Sequence, residues 1–232
     1  MLKRAKLSIL AVVLLFSASQ TYAVLQDKIF TSDGVIREGN EYRNVDIYDT
    51  HPVRTTVSMS GGSVNRLIAY DSSVLNFTGG TISGLYAHDF STINVSGGFI
   101  HSPMAWDYST INISGSFNAV EVGATATGIV NVMGGTMEAI AGWGGVISLY
   151  GGTVTDNIHA VGGWVNVFGY DLEKSSTGGK YGYGYVGGFW NDGTALTIHL
   201  GGSGTYSHIN LVPEPATLML LALGGILLRK RG

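Results

Sequence analysis

Paired glycines, or a glycine followed by one other residue, return through the middle of this chain at Gly61-Gly62, Gly79-Gly80, Gly97-Gly98, Gly115-Ser116, Gly134-Gly135, Gly151-Gly152 and Gly169-Tyr170. Their separations are 18, 18, 18, 19, 17 and 18 residues. A short, nearly fixed period restricts the chain to folds in which each repeat is one turn of a stack, because such a unit is too small to bury its own apolar face. Just before each pair lies a period-two segment: VLNFTGG, TINVSGG, TINISGS, IVNVMGG, VISLYGG and WVNVFGY.

Side chains alternate faces along a strand, so Leu75 and Phe77, Ile93 and Val95, Ile111 and Ile113, Val130 and Val132, Ile147 and Leu149, and Val165 and Val167 are predicted to face one core. Between them Asn76, Asn94, Asn112, Asn131, Ser148 and Asn166 face outward. The glycines then turn the chain at positive φ or let coils approach closely. A second apolar patch follows at Val64, Ile82 and Ile100, with a column of small residues at Ala69, Ala87, Ala105 and Gly123. The pattern predicts an all-β fold, a single-stranded parallel β-helix of about 18-residue coils stacked about 4.8 Å apart. A β-sandwich or barrel also uses short strands and glycine turns. The period leaves the handedness of the coil open.

The two ends differ from the middle. Residues 1–23, MLKRAKLSILAVVLLFSASQTYA, carry three bases, an apolar run from Leu7 to Phe16 and a small-residue end, the layout of a secretory signal helix cleaved after Ala23, with Ala18 the other candidate. At the other end Ala216–Leu228 is an apolar run of 13 residues, about 20 Å long as a helix against a bilayer core of about 30 Å. Arg229, Lys230 and Arg231 suit the cytoplasmic side of such a short transmembrane helix.

Val212, Pro213, Glu214 and Pro215, the apolar run with Gly224 and Gly225, and the closing Arg-Lys-Arg together resemble the PEP-CTERM sorting signal of Gram-negative bacteria. The resemblance covers about the last 21 residues. It implies processing by an exosortase, a membrane-embedded cysteine transpeptidase, during transient anchoring in the inner membrane. The implied product reaches the cell surface or the medium and is associated with exopolysaccharide and biofilm. The Tyr-rich stretch, the Asp192-Gly193-Thr194 turn and the strand Thr197–Leu200 are similar to the closing region found before the signal in this family. The chain is thus divided into a signal peptide (1–23), an N-terminal cap or leading coil (24–53), solenoid repeats (54–170), a closing β region containing a hairpin (171–211) and the sorting segment (212–232).

With both ends set aside, seven bases face fifteen acids, a net charge of about −8 that repels a phosphate backbone and argues against nucleic acid as a partner. The absence of cysteine excludes a disulfide scaffold and thiolate chemistry.

Stacking converts equal offsets into surface columns. Asp71, Asp89 and Asp107 form one; neighbours at rung spacing would repel by roughly 3 kcal/mol at an effective dielectric near 20. Asp-Ser-Ser, Asp-Phe-Ser and Asp-Tyr-Ser suit a turn whose side chains accept local N–H groups, and a calcium site is the alternative. Beside them Tyr70, His88 and Trp106 form an aromatic column, read as corner stacking or as a platform for glycan rings. The outward strand face is rich in Asn and Thr and becomes apolar at Met133, Tyr150, Trp164 and Phe168. His101, His159, His199 and His208 lack metal-ligand spacing, and no cofactor is expected. No nucleophile motif anchors a triad, and the repeats from Val57 to Phe168 hold one base, Arg66, where a polysaccharide lyase or hydrolase needs a cationic base among carboxylates. The expected function is a non-enzymatic structural or adhesive protein of the envelope or matrix, with a carbohydrate-binding module as the alternative.

Overall fold

The computed structural model describes residues 25–213; the expected signal helix and transmembrane helix lie outside them. The strands begin β1 (Gln26–Phe30), β2 (Gly34–Ile36), β3 (Glu41–Ile47), β4 (Thr56–Met59), β5 (Ser63–Ala69), β6 (Val74–Phe77), β7 (Thr81–Ala87), β8 (Thr92–Ala105) and β9 (Thr110–Thr125). They continue with β10 (Ile129–Val132), β11 (Thr136–Trp143), β12 (Val146–Leu149), β13 (Thr153–Ala160), β14 (Trp164–Ser175), β15 (Tyr185–Phe189), β16 (Ala195–Leu200) and β17 (Ile209–Pro213). A 3-10 turn at Thr205–His208 is the one helical element among the described residues.

Up to β14 each coil contributes a short and a long strand segment, joined into one strand in β8 and in β9, and each segment pairs in parallel with its counterpart one coil away, so the architecture is a β-solenoid of about 18-residue turns. On the short-strand face Val57, Leu75, Ile93, Ile111, Val130, Ile147, Val165 and Ile209 lie in register. Every one of them is buried, as the alternation requires. On the long-strand face Val64 and Leu67 are both buried though three residues apart, so the strand changes face midway and bends around the core. Val45, Leu67, Leu85, Val122, Ile140, Ile158 and Leu200 continue that second wall. Removing these side chains from water supplies about 1.5–3 kcal/mol each, and only stacking completes the removal.

The two glycines of a pair answer to different constraints. A Cβ on the first, Gly97, would lie 2.6 Å from the Thr78 carbonyl oxygen of the preceding coil. The second, at Gly62, Gly80 and Gly98, has φ of +82°, +101° and +79°, where glycine alone is unstrained.

The 19-residue step falls one coil earlier than alignment of the glycines suggests. Ser116, not Gly115, lies opposite Gly97, with a register shift after Val95, and Gly115 at φ +66° accommodates the extra residue. The small column consequently runs through Ala69, Ala87, Ala105, Ala124, Gly142 and Ala160. Gly123, expected in that column, lies beside Met104 instead, and a Cβ there would sit 2.4 Å from the Met104 sulfur.

At the N-terminal end β1 stacks on β3 and β3 on β5, so residues before Pro52 already form rungs. At the other end β14 leaves the stack after Gly169 and pairs antiparallel with β15, which pairs antiparallel with β16. The β15–β16 hairpin turns at Asp192-Gly193, where Asp192 accepts the Thr194 N–H at 2.8 Å, a bond that lowers the Asp192 pKa. β16 then returns as a rung on β13, and β17 as a rung on β14.

The loop between β14 and β15 is latched by Asp156, whose carboxylate accepts from Lys180 Nζ and the Tyr181 hydroxyl, and from Asn157 Nδ2 at 2.6 Å. These bonds, Lys180 foremost, hold the Asp156 carboxyl at about 2 rather than 3.8, and raise Lys180. A depressed acid stabilises the fold above its unfolded pKa and ceases to do so as pH falls through its folded one. Amide protection of residues 176–184 is therefore expected to fall as pH drops from 3.8 toward 2, and Asp156→Asn should show the lower protection at neutral pH. Hydrogen exchange across that range measures it; equal protection in both proteins would exclude the latch.

Candidate functional site

The corner that follows each long strand is where the candidate residues gather. Tyr70, His88 and Trp106 do form a column, and it begins a coil earlier than expected, at Tyr48. Ring centroids are 4.6 Å apart for Tyr48–Tyr70, 5.6 Å for Tyr70–His88 and 5.8 Å for His88–Trp106, with interplanar angles of 2°, 22° and 13°. Burial, and then the nearby Tyr48 and Asp46, raise the Tyr70 hydroxyl above its ordinary pKa. Tyr48 escapes the 18-residue alignment because the loop between β3 and β4 lengthens its coil, as the 22-residue separation of the neighbouring Asp49 and Asp71 shows.

The acidic column likewise gains Asp49. Asp71, Asp89 and Asp107 occupy the left-handed region at φ of 56°, 56° and 52°, a conformation Asp tolerates better than most residues. Their side chains do not close their own turns, although the sequence predicts that they would. The local N–H groups are already taken: Ser73, Ser91 and Ser109 donate to the carbonyls of Tyr70, His88 and Trp106 at 3.0–3.1 Å. Each carboxylate instead accepts the backbone N–H one rung back, from Asp49 to Asp71 at 3.3 Å, Asp71 to Asp89 at 3.1 Å and Asp89 to Asp107 at 3.4 Å. His88 Nδ1 lies 3.3 Å from Asp107 Oδ2 and links the two columns diagonally. Among the described residues no three His, Asp or Glu side chains converge as a metal cage.

The outward strand face holds a third column. Asn94 donates to Asn76 at 3.0 Å, Asn112 to Asn94 at 3.0 Å and Asn131 to Asn112 at 2.9 Å. Ser148 interrupts the ladder, and Asn210 resumes it on Asn166 at 3.1 Å. Above the break the face turns aromatic, with Tyr150 stacked on Phe168 at 4.2 Å.

A further stack, Phe90 on Tyr108 at 5.5 Å, stands well into solvent two positions beyond the first aromatic column. Sequence reasoning missed it, although Asp-Phe-Ser and Asp-Tyr-Ser place an aromatic at the same offset. It also missed Trp143, which shares the register position of Thr125 in the Trp106 column.

Of the sorting residues, Val212 and Pro213 belong to β17 and pair with Phe168 and Gly169 in the last rung. Glu214, Pro215, Arg229, Lys230 and Arg231 lie outside the described residues.

The protein-family description "PEP-CTERM protein-sorting motif" matches residues 211–231. No curated protein and no solved structure matches the chain. The chain carries the PEP-CTERM sorting motif, which marks an exported protein whose anchored sorting at the membrane is completed by exosortase. Because the match begins at Leu211, the motif starts inside the solenoid's final strand with no intervening linker.

Proposed function

We propose that the mature protein is a non-enzymatic structural or adhesive component of the envelope or extracellular matrix of a Gram-negative bacterium, associated with exopolysaccharide. The observation that carries this reading is the mutual satisfaction of the repeated side chains. The Asn column bonds to itself, the Asp column to the backbone of the adjoining rung, and Tyr48, Tyr70 and His88 stack on their neighbours. Groups engaged from rung to rung stiffen a rod, and a stiff rod suits a scaffold.

Glycan binding is the second reading, favoured by the exposed aromatics of the corner, which offer apolar area beside hydroxyls. A lyase or hydrolase fits less well, because the carboxylates of Asp71, Asp89 and Asp107 are engaged with the backbone of the adjoining rung, and Arg54, the base bonded to the Ser72 carbonyl next to Asp71, is held by that carbonyl and the Thr92 hydroxyl.

The test is fractionation of native cells producing the full chain, followed by incubation of the purified protein with the same cells' exopolysaccharide. The protein is expected in the envelope or matrix fraction, and the polysaccharide should keep its chain length. Shortened polysaccharide, or a protein found free in the medium, overturns the reading.

A further inference from the structure

The aromatic column stacks ring on ring from Tyr48 to Trp106 and stops there. Tyr70 and His88 each have a ring on both sides, so neither offers a free face to a ligand. Trp106 is covered by His88 on one side, and the next rung places Thr125 at the same position: Ala105 pairs with Ala124, and Thr125 with Trp143 of the rung beyond. The corner therefore reads Trp, Thr, Trp over three successive rungs. Trp106 and Trp143 are 38% and 42% exposed, large values for a residue type with so much apolar area.

Rungs lie about 4.8 Å apart, so positions two rungs apart are separated by about 9.6 Å. A flat guest midway would lie about 4.8 Å from each indole, inside the 4.5–7 Å window of ring stacking. The same corner carries hydroxyls. Thr125 donates to the Trp143 carbonyl at 3.4 Å and Thr127 donates to the Asp107 carbonyl, which leaves their oxygens able to accept, while the Tyr108 hydroxyl stands in solvent. The charged side chain on these three rungs at this corner is Asp107, about half exposed, an acceptor for sugar hydroxyls and a repellent to anions.

We propose that the gap over Thr125, between Trp106 and Trp143, binds one neutral hexopyranose ring of a polysaccharide. The indoles cover the two apolar faces of the sugar, and Thr125, Thr127, Tyr108 and Asp107 receive its hydroxyl edge. The proposal rests on the matrix-associated reading above and gives it a contact point, shifting the glycan site from Tyr70 and His88 to the open end of their stack.

The test is a tryptophan-fluorescence and calorimetric titration of the full-length chain in mild detergent with hexasaccharides of β-1,3-glucan, β-1,4-glucan and mannan, and with oligogalacturonate. At least one neutral hexamer is expected to bind and shift the emission, with oligogalacturonate at least 10-fold weaker. Trp106→Ala and Trp143→Ala should each weaken binding at least 10-fold. Thr125→Tyr decides the matter independently of folding: the added ring completes the stack, so binding should be lost at an unchanged or higher Tm. No binding by any neutral hexamer, stronger binding of oligogalacturonate, equal binding by folded Thr125→Tyr, or capture of Trp- and Tyr-containing peptides in place of sugar overturns the proposal. Fractionation separates the two levels. If Thr125→Tyr and wild type both stay in the matrix and bind glycan alike, the site is wrong and the matrix reading stands. If wild type is free in the medium, the matrix reading itself fails.

Discussion

Replacing Gly80 by alanine is expected to destabilise the fold by about 3–5 kcal/mol, while the same change at Gly162 costs about 1–2 kcal/mol. Both residues have positive φ, +101° and +87°, so both changes meet the backbone penalty of a side chain in that region. The difference lies in the neighbouring coil. A Cβ on Gly80 would sit 2.8 Å from the Gly62 carbonyl oxygen and 2.9 Å from the Gly61 carbonyl carbon, whereas a Cβ on Gly162 meets nothing within 4 Å. Backbone cannot rotate out of the way as a side chain can, so relief at Gly80 requires the two rungs to separate and their ladder bonds to lengthen. Denaturant unfolding of the two variants beside wild type measures both costs. Equal losses would mean that conformational strain alone fixes the glycines, and that close rung approach is not what the repeat demands.

The same distinction separates what the sequence makes legible from what it hides. Period and alternation make the rungs readable: Leu75, Ile93 and Ile111 are aligned by their 18-residue offset and are buried as the alternation predicts. Constant offset fails wherever the coil length changes. Tyr48 and Asp49 belong to the corner columns yet sit 22 residues from their partners, because the loop before β4 adds length without moving the rung. Gly123 is misplaced for the converse reason, since letters alone cannot tell which side of Gly115 receives the extra residue. The Asp turns show a further limit. Asp-x-Ser reads as a self-closing turn by local chemistry, but backbone bonds close it first and turn the carboxylates toward the adjoining rung. The latch of Lys180 on Asp156 joins residues with no repeat relation, so no pattern announces it.

Phe77→Ala should cost about 3–5 kcal/mol, and Phe90→Ala less than about 1 kcal/mol, although both remove the same ring. Phe77 is 0% exposed, in register with Met59 on one side and Val95 on the other, and its ring fills the space left open at Gly98, where a Cβ would meet Phe77 Cζ at 2.7 Å. Phe90 is 64% exposed and loses chiefly its stack on Tyr108. Gly98 cannot grow to fill the cavity, because its φ of +79° bars a side chain, so collapse must come from the rungs moving together, which the ladder resists. The defect should remain local because each rung contacts chiefly its neighbours. Phe77→Ala combined with Leu149→Ala, four rungs along the same column, is expected to be additive within about 0.5 kcal/mol; combined with Val95→Ala on the adjoining rung it should deviate by more. Denaturant melts of the single and double variants provide the cycle. Strong coupling between the distant pair would mean that the rod unfolds as one rigid core instead of a chain of nearest-neighbour interfaces, and an equal cost at Phe90 would remove the continuous interior from the account of its stability.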